Sequence, residues 1–259
     1  MIFHYLKIAF RNLCKYKTQN VISIIGLAVG LLCFCVCIYC SRFVESTDHC
    51  FANHDRIAEL NLYDGKADRY FSGSPVPLAE DLRTWSLGET EAISSVTYPR
   101  ERPYYVELSP EKTLPYELET IEIDTCYNKI FTPEMVAGHW KMASQSLNSV
   151  ILSQSMAIKI FGNAESAIGK HMTLMRRLNT SPESTPKTGG IVYTIQAVMK
   201  DIPLNNSLDF MQNIDMLTVN DSEGLLQSPK RYNMTGANTY VLLSPQTTCT
   251  DLEKQFSKR

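Results

Sequence analysis

Asn20-Val-Ile-Ser-Ile-Ile-Gly-Leu-Ala-Val-Gly-Leu-Leu-Cys-Phe-Cys-Val-Cys-Ile-Tyr-Cys40 is a run of residues without a single charged side chain. A helix needs ~20 mostly apolar residues to cross the hydrocarbon of a bilayer, and this run is long enough. Because lipid offers no partners to backbone N–H and C=O groups, a segment inside it must be helical, in spite of its β-branched residues and two glycines. The sequence therefore predicts a transmembrane helix over residues 20–41.

Two other interpretations of this run fit less well. A secretory signal peptide has an apolar core of ~7–15 residues and small residues before its cleavage site. Here the core is longer and ends in Ile38-Tyr39-Cys40-Ser41. A helix buried in a soluble domain is rarely apolar on every face over such a length. The run is therefore interpreted as a permanent membrane anchor.

Charge differs sharply between the two flanks of the predicted span. The residues after it mix both signs, with Arg42 followed by Glu45 and Asp48. The residues before it carry four basic side chains and no acidic one: Lys7, Arg11, Lys15 and Lys17. Short flanks rich in Lys and Arg stay in the cytoplasm, so the sequence predicts a cytoplasmic N-terminus and places residues 42–259 outside.

Residues 1–19 form the predicted cytoplasmic head. One basic and one apolar stripe run along it at helical spacing: Lys7, Arg11 and Lys15, and Phe3, Leu6, Phe10 and Leu13. Such an amphipathic basic helix is typical of a segment that lies in the inner membrane interface, with its cations toward anionic lipid headgroups. The four basic residues of the head are thus candidate lipid contacts. A solvated helix, or a continuation of the membrane helix, is the alternative.

Gly26 and Gly30 lie four residues apart within the predicted span, with Ala28 between them. This G-x-x-x-G spacing places both glycines on one face, where a second helix can approach closely. The two glycines are therefore candidate helix-packing residues, although the same spacing is frequent by chance in apolar segments.

About two hundred residues follow the span, enough for one domain or two small lobes. The chain is 44% hydrophobic and 20% charged, which favours a folded domain over a disordered stalk. Three cysteines on this side, Cys50, Cys126 and Cys249, allow one disulfide at most. Packing, and not a disulfide framework, must stabilise this domain.

Short strands and helices alternate along residues 42–259 without regular βαβ spacing, which predicts an α+β fold with a mixed sheet and helices packed on it. Strands are predicted over 56–63 and 67–72, as a hairpin about Asp64-Gly65, and over 116–124, 149–153, 171–178, 191–199 and 239–243. Helices are predicted over 77–85, 132–138, 154–161 with Gly162 as C-cap, and 250–257. A change of phase at Thr120 predicts a β-bulge.

No pattern in the chain points to catalysis. The segment from Gly162 to Lys170 has the wrong spacing for a phosphate-binding loop, and His171 stands where a Ser or Thr is needed. The outer cluster of metal-capable side chains matches no standard zinc spacing: Asp48, His49, Cys50, His54 and Asp55. The alternating carboxylates of residues 117–124 are predicted to form a solvated strand face. We expect no enzymatic activity, no cofactor and no metal, and the lack of a basic stripe with aromatics outside the membrane argues against nucleic acid as a partner.

Several ordered segments resemble a single family. Leu6-Lys-Ile-Ala-Phe-Arg-Asn-Leu13 and the run from Asn20 to Gly30 are similar to the opening of FtsX-like permeases of MacB-type ABC transporters, and residues 48–57 resemble the stretch after their first membrane helix. Two further segments resemble the MacB-like periplasmic core domain: Ser149-Val-Ile-Leu-Ser-Gln-Ser-Met-Ala-Ile-Lys-Ile-Phe-Gly162 with Ala167-Ile-Gly-Lys170, and Tyr193-Thr-Ile-Gln-Ala-Val-Met-Lys-Asp-Ile-Pro203 with Asn206-Ser207. The resemblance is closest to large permeases of Bacteroidetes-like bacteria.

The resemblance implies a subunit of the bacterial inner membrane with a periplasmic domain after its first span. In such a family a partner ATPase in the cytoplasm drives the permease, and further permease helices pack beside the first. The implied role is to couple ATPase-driven motion to substrate export or mechanical work in the periplasm. The family needs several spans, so the chain is interpreted as a fragment, a truncated product or half of a split permease. A membrane-anchored sensor or binding module without transport activity is the alternative, and an exported enzyme comes third.

Overall fold

The apolar run forms one long helix, α1 (Lys17–Glu45), in the computed structural model, and none of its residues is buried. It extends past both ends of the predicted span. The structure describes residues 4, 5, 7, 11, 15–85, 88–109, 112–174, 190–208, 213–222, 224–227 and 235–256. Within these ranges α1 is the one helix long and apolar enough to cross a membrane. The chain divides into two units, residues 1–47 and 48–259.

The second unit contains short helices and strands in alternation. Its helices are α2 (Leu78–Thr84), α3 (Tyr127–Phe131), α4 (Trp140–Gln145), α5 (Gln154–Phe161) and α6 (Cys249–Phe256). Its strands are β1 (Ile57–Leu60), β2 (Leu62–Asp64), β3 (Arg69–Phe71), β4 (Ser74–Pro75), β5 (Thr90–Thr97), β6 (Arg100–Ser109), β7 (Lys112–Ile123), β8 (Met135–Gly138), β9 (Ser149–Ser153), β10 (His171–Leu174), β11 (Val192–Met199), β12 (Met216–Val219) and β13 (Thr235–Leu243). Three short 3₁₀ turns cover His54–Arg56, Glu165–Ala167 and Leu225–Gln227.

One 11-stranded sheet, with parallel and antiparallel pairs, organises this unit. Its strand order is β1-β13-β5-β7-β12-β9-β11-β10-β6, with β4 paired to β13 and β8 to β11. Because β6 also pairs with β7, six of these strands close into a ring: β7, β12, β9, β11, β10 and β6. Strands β2 and β3 form a separate hairpin. The predicted α+β fold with a mixed sheet is confirmed.

The ring encloses its own apolar core. Side chains from all six ring strands pack in one buried cluster, so its members face the inside of the ring: Tyr104, Val106, Leu118, Val150, Leu152, Met172, Tyr193, Ile195, Val198 and Met216. Helix α5 adds Met156, Ala157 and Ile160 to this cluster. A second cluster packs α3 against the opposite face of the ring strands, through side chains such as Ile121, Ile151 and Leu217.

The strands outside the ring have a third apolar cluster. Ala79 and Leu82 of α2 and Leu252 of α6 pack on Ile93 and Val241. Hydrocarbon burial contributes about 25 cal/mol per Å² of apolar surface, so these short helices are held mainly by their packing on the sheet. Two helices thus cover this part of the sheet on one side.

Local sequence signals gave several elements correctly. The structure confirms the helix predicted over 77–85, and it confirms strand 149–153 with the helix that follows it directly. Gly162 ends that helix with φ +85°, as expected for a left-handed C-cap. Strand 191–199 and the last helix are also confirmed. Strand 171–178 is found as far as Leu174, and residues 175–178 and the loop predicted after them, up to residue 189, lie outside the described residues.

Three predictions were wrong. Residues 132–138 form no helix, because Thr132 ends α3 in a left-handed conformation and β8 then pairs with β11. There is no bulge at Thr120, since the register with β6 and with β12 runs through it without a shift. In the predicted hairpin only β2 and β3 pair with each other, because β1 pairs with β13.

Candidate functional site

The basic residues of the head lie on helical backbone. Lys7, Arg11, Lys15 and Lys17 are all helical and exposed. The apolar stripe predicted beside them, Phe3, Leu6, Phe10 and Leu13, lies outside the described residues. Contact of these four cations with lipid headgroups stays a prediction.

Gly26 and Gly30 lie in the middle of α1. A Cβ atom placed on either glycine would have no heavy atom within 4 Å beyond its own helix and neighbours. Space for a second helix is therefore present at both positions, and packing of another permease helix there stays a prediction.

The chain is fixed to the sheet domain within three residues of the end of α1. Asp48 has a left-handed backbone, φ +64°, which Asp adopts more readily than most residues. Its N–H donates to the Asn205 carbonyl at 3.0 Å, and its carboxylate Oδ1 accepts the Ser207 N–H at 2.7 Å. Asp48 thus works as a structural clamp, not as a metal ligand of the kind that the sequence cluster raised.

Residues 48–56, called here the anchor segment, continue this attachment into the core. Phe51 is buried, and its ring lies 4.9 Å from that of Phe131 on α3. Asn53 Nδ2 donates to two carbonyls at the end of α3, each at 3.2 Å. Arg56 Nη1 donates to the Leu243 carbonyl on β13 and to Glu91 Oε1, each at 2.9 Å. The anchor segment therefore joins α3, β5 and β13.

The histidines of the anchor segment lie together, without a set of metal ligands. The rings of His49 and His54 are 4.3 Å apart, and His54 Nε2 lies 3.2 Å from Asp55 Oδ1. Partial burial and the Asp48 carboxylate raise the pKa of the Cys50 thiol to about 11, so it stays protonated at neutral pH. Within the described ranges, no three His, Cys, Asp or Glu side chains form a group suited to a metal ion.

A groove of about 490 Å³ opens beside the anchor segment. The anchor segment forms one wall, and the other comes from residues 131–134 and 200–203. Lys200 Nζ lies 3.0 Å from Glu134 Oε2 at its rim. Its volume is in the range of small-molecule sites.

Sequence reasoning missed the polar interior of the sheet. Glu122 was predicted on a solvated face, yet it is only 4% exposed, and its two carboxylate oxygens accept the N–H groups of Leu225 and Leu226 at 2.7 and 2.8 Å. Asp221 is equally buried and accepts the Tyr193 hydroxyl at 2.9 Å. The alternation of residues 117–124 holds no signal of this burial, because it depends on a segment a hundred residues further on.

The resemblance of Gly162 to Lys170 to a phosphate loop is explained by turns. Gly162 is the C-cap of α5, and Gly169, with φ +76°, leads into β10. The N–H of Gly169 donates to the Ile195 carbonyl at 2.8 Å and is thus committed to the sheet. The interpretation of both glycines as turn residues is confirmed.

A membrane-length helix that leads within three residues into an α+β domain defines a membrane-anchored class of protein. The family model of the MacB-like periplasmic core domain matches residues 21–259, and the chain belongs to this family. Such domains occur in permease-type proteins of ABC transporter systems, which work with ATPase partners. The predicted resemblance is confirmed, and the chain is a membrane-anchored protein with an extracytoplasmic domain.

Two solved structures share this fold. A domain of a protein assigned as a permease in Porphyromonas gingivalis is 22% identical, with a TM-score of 0.61 over 80% of this chain and 84% of its own. The periplasmic region of MacB from Actinobacillus actinomycetemcomitans is 14% identical, with a TM-score of 0.52 over 83% of this chain and 86% of its own. No match was found among curated protein sequences.

Proposed function

We propose that this chain is a permease subunit of an ABC transporter, or part of one, whose periplasmic domain couples ATPase-driven motion to substrate export or mechanical work. Its N-terminus lies in the cytoplasm, where the four basic residues of the head contact lipid and the ATPase binds. The chain performs no chemistry of its own and needs no cofactor.

The short connection between helix and domain carries this proposal. Ser46 and Thr47 are the two residues between α1 and Asp48, and their N–H groups donate to Arg42 and Val44 carbonyls at the helix end. A flexible linker would let the helix move without the domain. Here the chain passes from helix to clamp without slack, which suits the transfer of helix displacement to a domain.

The experiment separates attachment from coupling. The intact chain is purified from membranes, tested for a copurifying ATPase, and examined by hydrogen exchange of residues 48–256 with and without ATP. A six-residue Gly/Ser insertion between Thr47 and Asp48 is expected to keep the ATPase bound and abolish the ATP-dependent change in exchange. The same insertion between Gly65 and Lys66, in the exposed hairpin turn, is the matched control and is expected to leave the change intact.

Two results contradict the proposal. Absence of any ATPase from the purified chain removes the partner, and an ATP-dependent change that survives the insertion after Thr47 removes the coupling. The groove beside the anchor segment supports the alternative, a membrane-anchored binding module. That function predicts a bound small molecule and no response to ATP.

A further inference from the structure

A second, polar pocket of about 290 Å³ lies between the start of α2, the strands β5 and β7 and the segment 220–226. Its described lining residues include four carboxylates and one basic side chain: Glu80, Glu122, Asp124, Asp221 and Arg83. Nη2 of Arg83 donates to Asp124 Oδ2, so this guanidinium is engaged by one of the four. The pocket therefore has an acidic character.

Glu122 is the deepest of these carboxylates. Its bonds to Leu225 and Leu226 come from neutral backbone N–H groups, which stabilise a carboxylate without neutralising it. Burial raises the pKa of its carboxyl, and Asp221 raises it further, against the opposing effect of those N–H groups and of Arg102. A positive charge placed beside Glu122 would therefore be favourable.

Ser95 provides an independent observation in the same pocket. Its side chain lines the cavity, the residue is only 4% exposed, and its Oγ has no hydrogen-bond partner. The backbone N–H of Ser95 is used, since it donates to Asp124 Oδ2 at 3.0 Å. Buried hydroxyls are nearly always satisfied, and one that is not calls for a water, an ion or a ligand group next to it.

Size and lining distinguish among positive ligands. The volume is roughly ten times the ~30 Å³ share of one water molecule, which is too large for a bare ion. The described residues also offer no group of three metal-capable side chains. Apolar side chains complete the walls: Val76, Pro77, Ala79 and Leu226. The lining thus suits a cationic head with a short hydrocarbon body.

We propose that this pocket binds a small primary amine, with its ammonium group between Glu122 and Ser95 and its alkyl body against Val76 and Leu226. An ammonium group has three donors, which matches the free Ser95 hydroxyl and the remaining lone pairs of the Glu122 carboxylate. This site is separate from the anchor segment and does not depend on transport.

The full chain in detergent is titrated with n-butylammonium chloride, and binding is followed by saturation-transfer NMR. The uncharged probe n-butanol has the same heavy-atom length and is expected to bind at least tenfold more weakly. Ser95→Ala is expected to weaken butylammonium binding about fivefold, the value of ~1 kcal/mol for one hydrogen bond. Ser166→Ala, at an exposed serine, is the matched control and is expected to change nothing.

Glu122→Gln is expected to abolish butylammonium binding, with circular dichroism as the check that the domain is folded. Because Gln at this position also disturbs segment 224–226, Ser95→Ala, which leaves that segment intact, decides if the Gln variant unfolds. Equal binding of butanol and butylammonium overturns the proposal, and so does a Ser95→Ala variant with unchanged affinity. Binding of CaCl₂ that Ser95→Ala weakens, without binding of butylammonium, assigns the pocket to a metal ion instead.

Discussion

The closed ring and the open part of the sheet bury different kinds of side chain. The ring core is apolar, with residues such as Leu118, Leu152 and Met172 fully inaccessible to water. The open part, formed by β1, β4, β5 and β13, also buries hydroxyl groups: Ser74, Ser95, Thr97 and Thr239. Ser74 Oγ and Thr239 Oγ1 lie 2.6 Å apart as a hydrogen-bonded pair. Apolar packing stabilises the ring, whereas the polar interior leaves a pocket where a ligand can bind.

The largest expected effect tests the ring. Leu152→Ala removes a fully buried side chain and leaves a cavity, so the free energy of unfolding should fall by about 2–5 kcal/mol. Leu147→Ala, at a leucine that is 70% exposed, should stay within about 0.5 kcal/mol of the parent chain. Urea denaturation of the full chain in detergent, followed by tryptophan fluorescence, measures both. Equal losses would show that the ring core is not the stabilising element.

The next effect tests the polar region. A Cβ at Gly224 would lie 2.0 Å from Glu122 Oε1, so Gly224→Ala must displace the segment that donates to this carboxylate. Loss of two hydrogen bonds to a charged group predicts a destabilisation of about 2–3 kcal/mol in the same denaturation experiment. Gly65→Ala is the control, because its Cβ would meet only the edge of Tyr63 at 3.8 Å. A neutral Gly224→Ala would mean that Glu122 does not hold segment 224–226.

A smaller effect returns to the ring, at the helix that closes its core. The Ser153 Oγ caps α5 by accepting the Met156 N–H at 3.4 Å. Ser153→Ala should therefore cost about 1 kcal/mol of unfolding free energy, as is usual for an N-cap serine. Ser155→Ala, two residues later and exposed, should have little effect. Identical values for the two variants would rule out a capping role for Ser153.

The smallest effect lies at the capped start of α6. The Thr248 hydroxyl donates to Asp251 Oδ2 at 2.6 Å, and this bond, with that of the Thr248 N–H, lowers the pKa of the Asp251 carboxyl. A lowered pKa means that ionised Asp251 stabilises the fold above about pH 4, and that this contribution is lost as the pH falls through the folded-state value. Asp251→Asn should thus lower the melting temperature slightly at pH 7 and not at pH 3. A constant difference at both pH values would contradict this.

Elements with signals inside their own sequence were predictable. The strand and helix of residues 149–162 carry an N-cap serine, a helical apolar spacing and a C-cap glycine within fourteen residues. The α+β class and the membrane helix also follow from patterns of this local kind. Stability of such elements depends on neighbours, yet their type does not.

Elements defined by distant partners were not predictable. Residues 135–138 carry a proline just before them and read as a helix start, but pairing with β11 makes them a strand. From Thr120 the strand β7 is buried on both faces, because β12 joins it there, and this burial imitates the phase change of a bulge. Ser95, Glu122 and Asp221 form one pocket only because β5, β7 and the segment after β12 meet in space.

Ring closure also sets an order for the birth of this domain. Strand β12 seals the ring by pairing with β7 on one side and β9 on the other, although nearly all other ring strands precede it in the chain. A polypeptide threaded N-terminus first across a membrane must therefore keep β7 and β9 with open edges until residue 219 has emerged. Such long-range closure is slow, and open edges invite pairing with other chains. Translocation of the last ring strand is thus the step at which a newly made domain becomes safe from misassembly.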